Sequence, residues 1–159
     1  MDLFNLNGAL FSEDRKYRFV LWRIWDEGLS KVMFIGLNPS TANEYSDDPT
    51  IRRVKSMAKN WGYGGIYMLN LFTYVTAYPK ELKLCSDPLY KADEYLKLYA
   101  LKCERIIAAW GSFKENKERA IEVLKFLPNC EALAINKDGS PKHPLYIKND
   151  VIPVKFGVK

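Results

Sequence analysis

Short apolar runs and amphipathic segments follow one another along the chain. The apolar runs, rich in β-branched and aromatic residues, are typical of buried strands and cover residues 17–25, 31–37, 65–72, 105–110 and 131–135. Between them, apolar residues recur at helical spacing, which predicts helices over residues 49–61, 86–102 and 113–126. The first predicted helix has Asp48 as its N-cap, Pro49 at its first position and Gly62 at its end.

Strands that alternate with amphipathic helices predict an α/β fold, here a three-layer sandwich with a mainly parallel central sheet. The first strand, residues 17–25, ends in a turn, and we expect this N-terminal strand to pair antiparallel with residues 31–37. Four strands should end at one edge of the sheet, near Asn38, Asn70, Trp110 and Asn136. No linker, repeat or low-complexity tract interrupts the chain, so we predict a single domain over residues 1–159.

The composition is that of an ordinary soluble globular protein. Of the 159 residues, 48% are hydrophobic, and no apolar run approaches the ~18 residues needed to cross a bilayer. The amino-terminal residues lack the pattern of a secretion signal, and Cys85, Cys103 and Cys130 fit neither a disulfide framework nor a metal-ligand spacing. We therefore expect a cytoplasmic protein with no membrane partner, no metal and no cofactor. A net charge of +5 and an aromatic content of 14% are compatible with a nucleotide or DNA partner without requiring one.

The most informative polar segment follows the second apolar run. There the chain reads Gly-Leu-Asn-Pro-Ser, which places Asn38 after a strand, at the edge where open α/β sheets bind ligands. Gly36 permits close approach to the backbone, Pro39 stiffens the turn, and the Asn38 amide can both donate and accept. The alternative is an ordinary Asn-Pro turn, because this dipeptide is common in turns.

The other candidate residues also have structural alternatives. Arg52 and Arg53, beside a helix N-terminus, would form a phosphate site or else lie on a solvated face. His143, the only histidine, has an ordinary pKa near neutrality and would serve as a proton donor or electrophile, although a lone histidine is more often incidental. Asn70 would present its amide to a base edge or stabilise a turn. We expect one or two aromatic residues to stack on a ligand, among Tyr63, Tyr67, Phe72, Tyr74 and Tyr146.

A set of ordered motifs extends over nearly the whole chain. The motifs are Tyr17-Arg18 followed by Leu21-Trp22, Gly36-Leu37-Asn38-Pro39-Ser40-Thr41-Ala42, Asp48-Pro49-Thr50-Ile51-Arg52-Arg53, Trp61-Gly62-Tyr63-Gly64, Asn70-Leu71-Phe72, Ala109-Trp110-Gly111 and His143-Pro144-Leu145-Tyr146. By these motifs the chain is identified as a member of the bacterial and phage family called domain of unknown function 1643. That family in turn resembles, more distantly, the uracil-DNA glycosylase superfamily, which implies a uracil-DNA-glycosylase-like fold and a nucleobase ligand.

The glycosylase resemblance also implies roles for individual residues. Asn38 is similar to the asparagine that positions water against the sugar, and His143 to the histidine that stabilises the departing base. These two residues are therefore the expected catalytic residues of N-glycosidic hydrolysis on a flipped nucleotide. The expected base-binding residues are Asn70, Phe72 and Tyr146. The expected phosphate or nucleic-acid contacts are Ser40, Thr41, Arg52, Arg53 and Lys142.

Two departures from the glycosylase pattern leave the function open. The first motif lacks the aspartate of the most active glycosylases, and His143 is followed by Pro-Leu-Tyr rather than Pro-Ser. One hypothesis is a glycosylase-like hydrolase that acts on a modified or mismatched base. The alternative is a non-catalytic nucleotide-binding protein that sequesters its ligand, for example in phage counter-defence. A third and weaker hypothesis is a DNA-binding accessory factor. The sequence indicates no oligomeric state.

Overall fold

The structure is a computed structural model, which describes residues 6–156. Within these residues seven strands form one mixed sheet in the order β1-β2-β4-β3-β5-β6-β7. The strands are β1 (Leu6–Phe11), β2 (Arg18–Ile24), β3 (Lys31–Gly36), β4 (Gly65–Asn70), β5 (Arg105–Ala108), β6 (Glu131–Ala132) and β7 (Val154–Lys155). The α-helices are α1 (Pro49–Asn60), α2 (Ala92–Ala100) and α3 (Lys117–Phe126), and short 3₁₀ turns cover Pro79–Leu84, Lys114–Asn116 and Pro144–Tyr146.

The centre of the sheet is parallel, as the sequence predicts. β3 lies between β4 and β5, and β6 continues on the far side of β5, all four strands running in the same direction. The last residues of β3 and β4, Gly36 and Asn70, are paired in register. The strands β1, β2 and β7 are antiparallel additions at the two sides of this parallel centre. The carboxyl ends of four strands therefore meet at one edge.

The expected pairing of residues 17–25 with residues 31–37 is wrong. β2 pairs antiparallel with β1 and β4 instead, because β4 inserts between β2 and β3. The turn between β2 and β3 hydrogen-bonds to Gly64, whose N–H donates to Ser30 O and whose carbonyl accepts from Trp25 N. A Cβ at Gly64 would lie 2.0 Å from Asp26 O, so only glycine allows the chain to enter this space.

Both faces of the sheet are covered by helices. Along β3, Val32, Met33, Phe34 and Ile35 are all fully buried, which shows that consecutive side chains on opposite faces are covered. Val32 and Phe34 belong to an apolar cluster with α1, whereas Met33 and Ile35 belong to a second cluster with α2 and α3. The protein therefore has a three-layer α/β architecture. No helix within residues 6–156 is both long and apolar enough to span a membrane.

The observed boundaries of helices and strands differ most from the predicted ones in the second half of the chain. α2 begins at Ala92 rather than near residue 86, because Lys91 adopts a left-handed backbone conformation (φ 56°) that interrupts a helix. α3 follows a 3₁₀ turn, and the strand expected over residues 131–135 is reduced to Glu131–Ala132. The flanking strands β1 and β7 were not expected from the sequence pattern.

Candidate functional site

A cavity of about 220 Å³ lies where the carboxyl ends of β3 and β4 meet the residues that follow β5. From β3 the chain crosses to β4 on one side, and the later strand β5 returns to the other side of β3. Open α/β sheets form a crevice at such a reversal of strand order. Four of the residues predicted for the site line this cavity: Asn38, Ser40, Asn70 and His143.

The Asn38 amide is held in one orientation. Its Nδ2 donates to Thr76 O at 2.7 Å and to Pro39 O at 2.9 Å, so both amide hydrogens are used by backbone carbonyls. Its Oδ1 accepts no hydrogen bond from residues 6–156. Asn38 therefore presents a fixed acceptor oxygen and no free donor.

Asn70 is a buried residue, and its side-chain amide makes no hydrogen bond within the described residues. Asn70 is the last residue of β4 and only 5% exposed. A Cβ at the paired residue Gly36 would lie 2.6 Å from Asn70 Oδ1, so the absence of a side chain at Gly36 makes room for this amide. Because buried polar groups are normally hydrogen-bonded, an unbonded amide that lines a cavity is suited to contact a ligand.

His143 presents a neutral imidazole to the cavity. Its Nδ1 accepts a hydrogen bond from Leu145 N at 3.2 Å, so in the neutral ring the proton is on Nε2, which can donate. Burial lowers the pKa of His143 below its usual value, and the Asp48 carboxylate only partly opposes this effect. The ring is therefore mostly uncharged at neutral pH. Gly111 has a positive φ of 76°, and a Cβ at this position would lie 3.4 Å from the His143 Cβ.

Two charged residues that line the cavity, Asp48 and Arg18, are not among the site residues that the sequence predicts. Asp48 caps α1, accepting from Ile51 N at 2.8 Å, and it also lines the cavity. Arg18, from β2, lines the cavity while only 4% exposed, and its Nη1 donates to Ala42 O at 3.0 Å. The signal for Arg18 was a cation inside an apolar strand pattern, where charged side chains are seldom buried without a specific role.

Two predicted ligand contacts, Lys142 and Tyr146, lie outside the cavity, in an adjoining open groove of about 590 Å³. His143 lines both spaces, so the groove is continuous with the site. Tyr146 is 80% exposed, and its ring meets the His143 ring edge-on with centroids 6.2 Å apart. A ligand that extends out of the cavity would pass these two side chains.

The remaining predicted contacts are placed away from both spaces. Phe72 packs against the apolar cluster beneath α2 and α3, and Thr41 is exposed on the loop after β3. Arg52 is exposed and donates to Asp47 O, whereas Nη1 of Arg53 donates to Ile147 O at 2.6 Å. The structure thus brings together the two asparagines, the serine and the histidine, but not these four residues.

The family match covers the elements that build this site. The family model described as "protein of unknown function (DUF1643)" matches residues 18–145, a range that begins at Arg18 and includes His143. No curated protein and no solved structure matches the chain. With most of its length matched, the chain belongs to the DUF1643 family.

Proposed function

We propose that this protein binds a nucleobase, as part of a nucleotide or nucleic acid, and hydrolyses its N-glycosidic bond. The observation that carries the proposal is the convergence of three uncommitted polar groups on one cavity: the Asn38 acceptor oxygen, the Asn70 amide and the neutral His143 donor. The distant resemblance of the same residues to uracil-DNA glycosylase motifs supports this assignment.

The cavity suits a single ring system. Its volume of about 220 Å³ is below the roughly 300–1,000 Å³ of pockets for drug-sized ligands. The Asn70 amide offers a donor and an acceptor side by side, the arrangement with which an asparagine contacts a base edge through two hydrogen bonds. The rest of a nucleotide would extend into the adjoining groove, past Lys142 and Tyr146.

In the proposed reaction a water molecule adds to the sugar C1′ as the bond from C1′ to the base nitrogen breaks. Asn38 Oδ1 accepts a hydrogen bond from the water and orients its oxygen, but an amide cannot remove the proton. The Asp48 carboxylate, which lines the same cavity, is the group able to accept that proton before it reaches the departing base. His143 Nε2–H donates to the negative charge that develops on the base, a contribution of about 3 kcal/mol by analogy with oxyanion-hole donors.

A second candidate function is binding without turnover. It is favoured by the hydrogen bond of Asp48 to Ile51 N, which commits one carboxylate oxygen to helix capping. In this alternative, Asn70 and His143 recognise the base and the ligand leaves unchanged, as in a sequestering protein.

The deciding experiment uses mass spectrometry of bound and released small molecules. The purified protein is incubated with nucleosides, nucleotides and oligonucleotides that contain modified or mismatched bases. We expect the wild-type protein to release a free base with turnover. The Asn38→Ala variant should release none. The exposed Asn60, whose side chain donates to Asn149 O away from the cavity, provides the matched control Asn60→Ala, which should retain full activity. Unchanged base release by Asn38→Ala would overturn the mechanism, and a stoichiometric intact ligand would establish the binding alternative.

A further inference from the structure

Arg18 differs from the other buried arginines in having no carboxylate partner among residues 6–156. Arg18, Arg23 and Arg119 are all at most 5% exposed. Arg23 Nε lies 2.7 Å from Asp47 Oδ1, and Arg119 Nη2 lies 2.6 Å from Asp93 Oδ1. Arg18 forms no ion pair within residues 6–156. A buried charge without a paired counter-charge is costly, and proteins normally avoid it.

The guanidinium of Arg18 also retains unused donors. Nη1 donates to Ala42 O, but Nε is buried and makes no hydrogen bond with the described part of the chain. Nη2 donates to no atom of residues 6–156 either. The Arg18 side chain lines the 220 Å³ cavity, so a ligand in this cavity would lie beside it. Burial lowers the pKa of Arg18 to about 10, which leaves it fully charged at neutral pH.

The nearby Asp48 carboxylate does not form an ion pair with the Arg18 guanidinium. Asp48 lines the same cavity, but its carboxylate accepts from Ile51 N at the start of α1 and forms no ion pair with Arg18. The two charges therefore face one space without neutralising each other directly. A ligand with an anionic group at one end and hydrogen-bond donors at the other would satisfy both.

We infer that Arg18 forms an oxyanion subsite in this cavity, which binds a phosphate or carboxylate group of the ligand. A planar guanidinium binds two oxygens of such a group through parallel hydrogen bonds. The subsite rests on the proposed function only in taking this cavity as the ligand site, and it does not require that a glycosidic bond be cleaved.

The test measures thermal stabilisation and calorimetric binding with inorganic phosphate, with acetate and with the neutral nucleoside deoxyuridine, each against sodium chloride at the same ionic strength. The variants are Arg18→Met, which removes the charge at similar length, and Arg18→Lys, which keeps the charge without the planar fork. The matched control is Arg105→Met. Arg105 forms an ion pair with Glu131, and both residues lie at the amino ends of their strands, away from the cavity. We expect phosphate or acetate to stabilise the wild-type protein and the control, with affinity reduced roughly tenfold to a hundredfold in Arg18→Met.

The outcomes separate this inference from the proposed function. Stabilisation by phosphate alone or by acetate alone supports the subsite and identifies which group it takes. An equal response in Arg18→Met, or no response of the wild-type protein to either anion, overturns it. Deoxyuridine binding without anion binding overturns the subsite while supporting a nucleobase site. Anion binding that depends on Arg18, without nucleoside binding, supports the subsite and counts against the proposed function. If Arg18→Met does not fold, two measurements still test the subsite. One is anion binding by Arg18→Lys, and the other is the response of the wild-type protein to phosphate and acetate relative to chloride.

Discussion

Asn38 and Asn70 both line the cavity, but only the Asn38 amide is fixed by hydrogen bonds within the described residues. The hydrogens of Asn38 are taken by two backbone carbonyls, so its side chain has a structural as well as a proposed catalytic role. Asn70 has no side-chain partner among residues 6–156, so its amide contributes little to the fold. At the scale of single residues, hydrogen bonds already made determine which groups remain for a ligand.

This difference predicts different stabilities for two alanine variants. Asn38→Ala leaves Thr76 O without its donor, and we expect it to lower the free energy of unfolding by about 1–3 kcal/mol. Asn70→Ala removes no hydrogen bond within the described residues and should cost less than about 1 kcal/mol. Urea unfolding followed by circular dichroism measures both, and equal losses would contradict the assigned roles.

The lowered pKa of His143 predicts that the stability of the protein depends on pH, and the protonation of this one residue can be followed directly. Its lowered pKa means that the unfolded chain takes up this proton first as pH falls. The unfolding free energy should therefore decrease from about pH 6.5 downward and level off below the pKa of the folded state. Protonation also removes the Nδ1 acceptor used by Leu145 N, so the hydrogen bond that orients the ring should be lost over the same acid range.

Because the chain has a single histidine, its ring proton resonances report this titration without assignment. Proton NMR of the folded protein should give a His143 midpoint below 6.5, and urea-unfolded protein provides the reference. A midpoint above 6.5 in the folded state would show that an anionic neighbour, not burial, controls the ring.

At the scale of elements, the loop of residues 37–48 between β3 and α1 is held by β2. Arg23 donates to the carbonyls of Asn43 and Ser46 and pairs with Asp47, and Arg18 donates to Ala42 O. Asp48 ends the loop as the N-cap of α1. The polar residues of this loop therefore position the cavity wall and the helix start together.

Asp48 variants separate its capping role from its role in the cavity. Asn is as good an N-cap as Asp, so Asp48→Asn should unfold near the wild-type free energy, whereas Asp48→Ala should lose about 1 kcal/mol. Both variants remove the charge from the cavity, so both should lose the proposed turnover. Denaturation and base-release assays on the same preparations make the comparison. Full turnover by Asp48→Asn would show that the carboxylate takes no part.

The start of α1 and the position of β2 show how far the sequence could predict the structure. The Asp48-Pro49 helix start and the alternation of strands with helices are local signals, and both are confirmed. The place of β2 was not predictable locally, because it depends on Gly64 allowing β4 to insert beside the turn at Asp26. Arg18 was missed as a site residue for a related reason. Its significance comes from the absence of an ion pair, and this is visible only after the chain is folded.

At the scale of the whole molecule, the net charge of +5 favours contact with polyanions in general. The arginines nearest the start of α1 are nevertheless partly committed, because Arg52 and Arg53 each donate to a backbone carbonyl. Arg18 lines the cavity and also donates to one carbonyl, but its Nε has no hydrogen-bond partner among residues 6–156. Arg18 is buried and can reach a single anionic group. This distribution favours a small ligand over an extended nucleic-acid track.

Salt dependence distinguishes these two modes of binding. Each DNA phosphate contact contributes a slope of about −0.9 to the logarithm of affinity against the logarithm of salt concentration. A mononucleotide has no condensed counterions to release, so a ligand held through one anionic group at Arg18 should bind at most about three- to fourfold more weakly at 200 mM than at 50 mM salt. We expect this shallow dependence for deoxynucleoside monophosphates and no tighter binding of a duplex oligonucleotide, both measured by calorimetry. A duplex that binds more tightly, with a slope of −4 or steeper, would require several phosphate contacts outside the cavity. The ligand would then be nucleic acid, and the groove that contains Lys142 would be the first place to map those contacts.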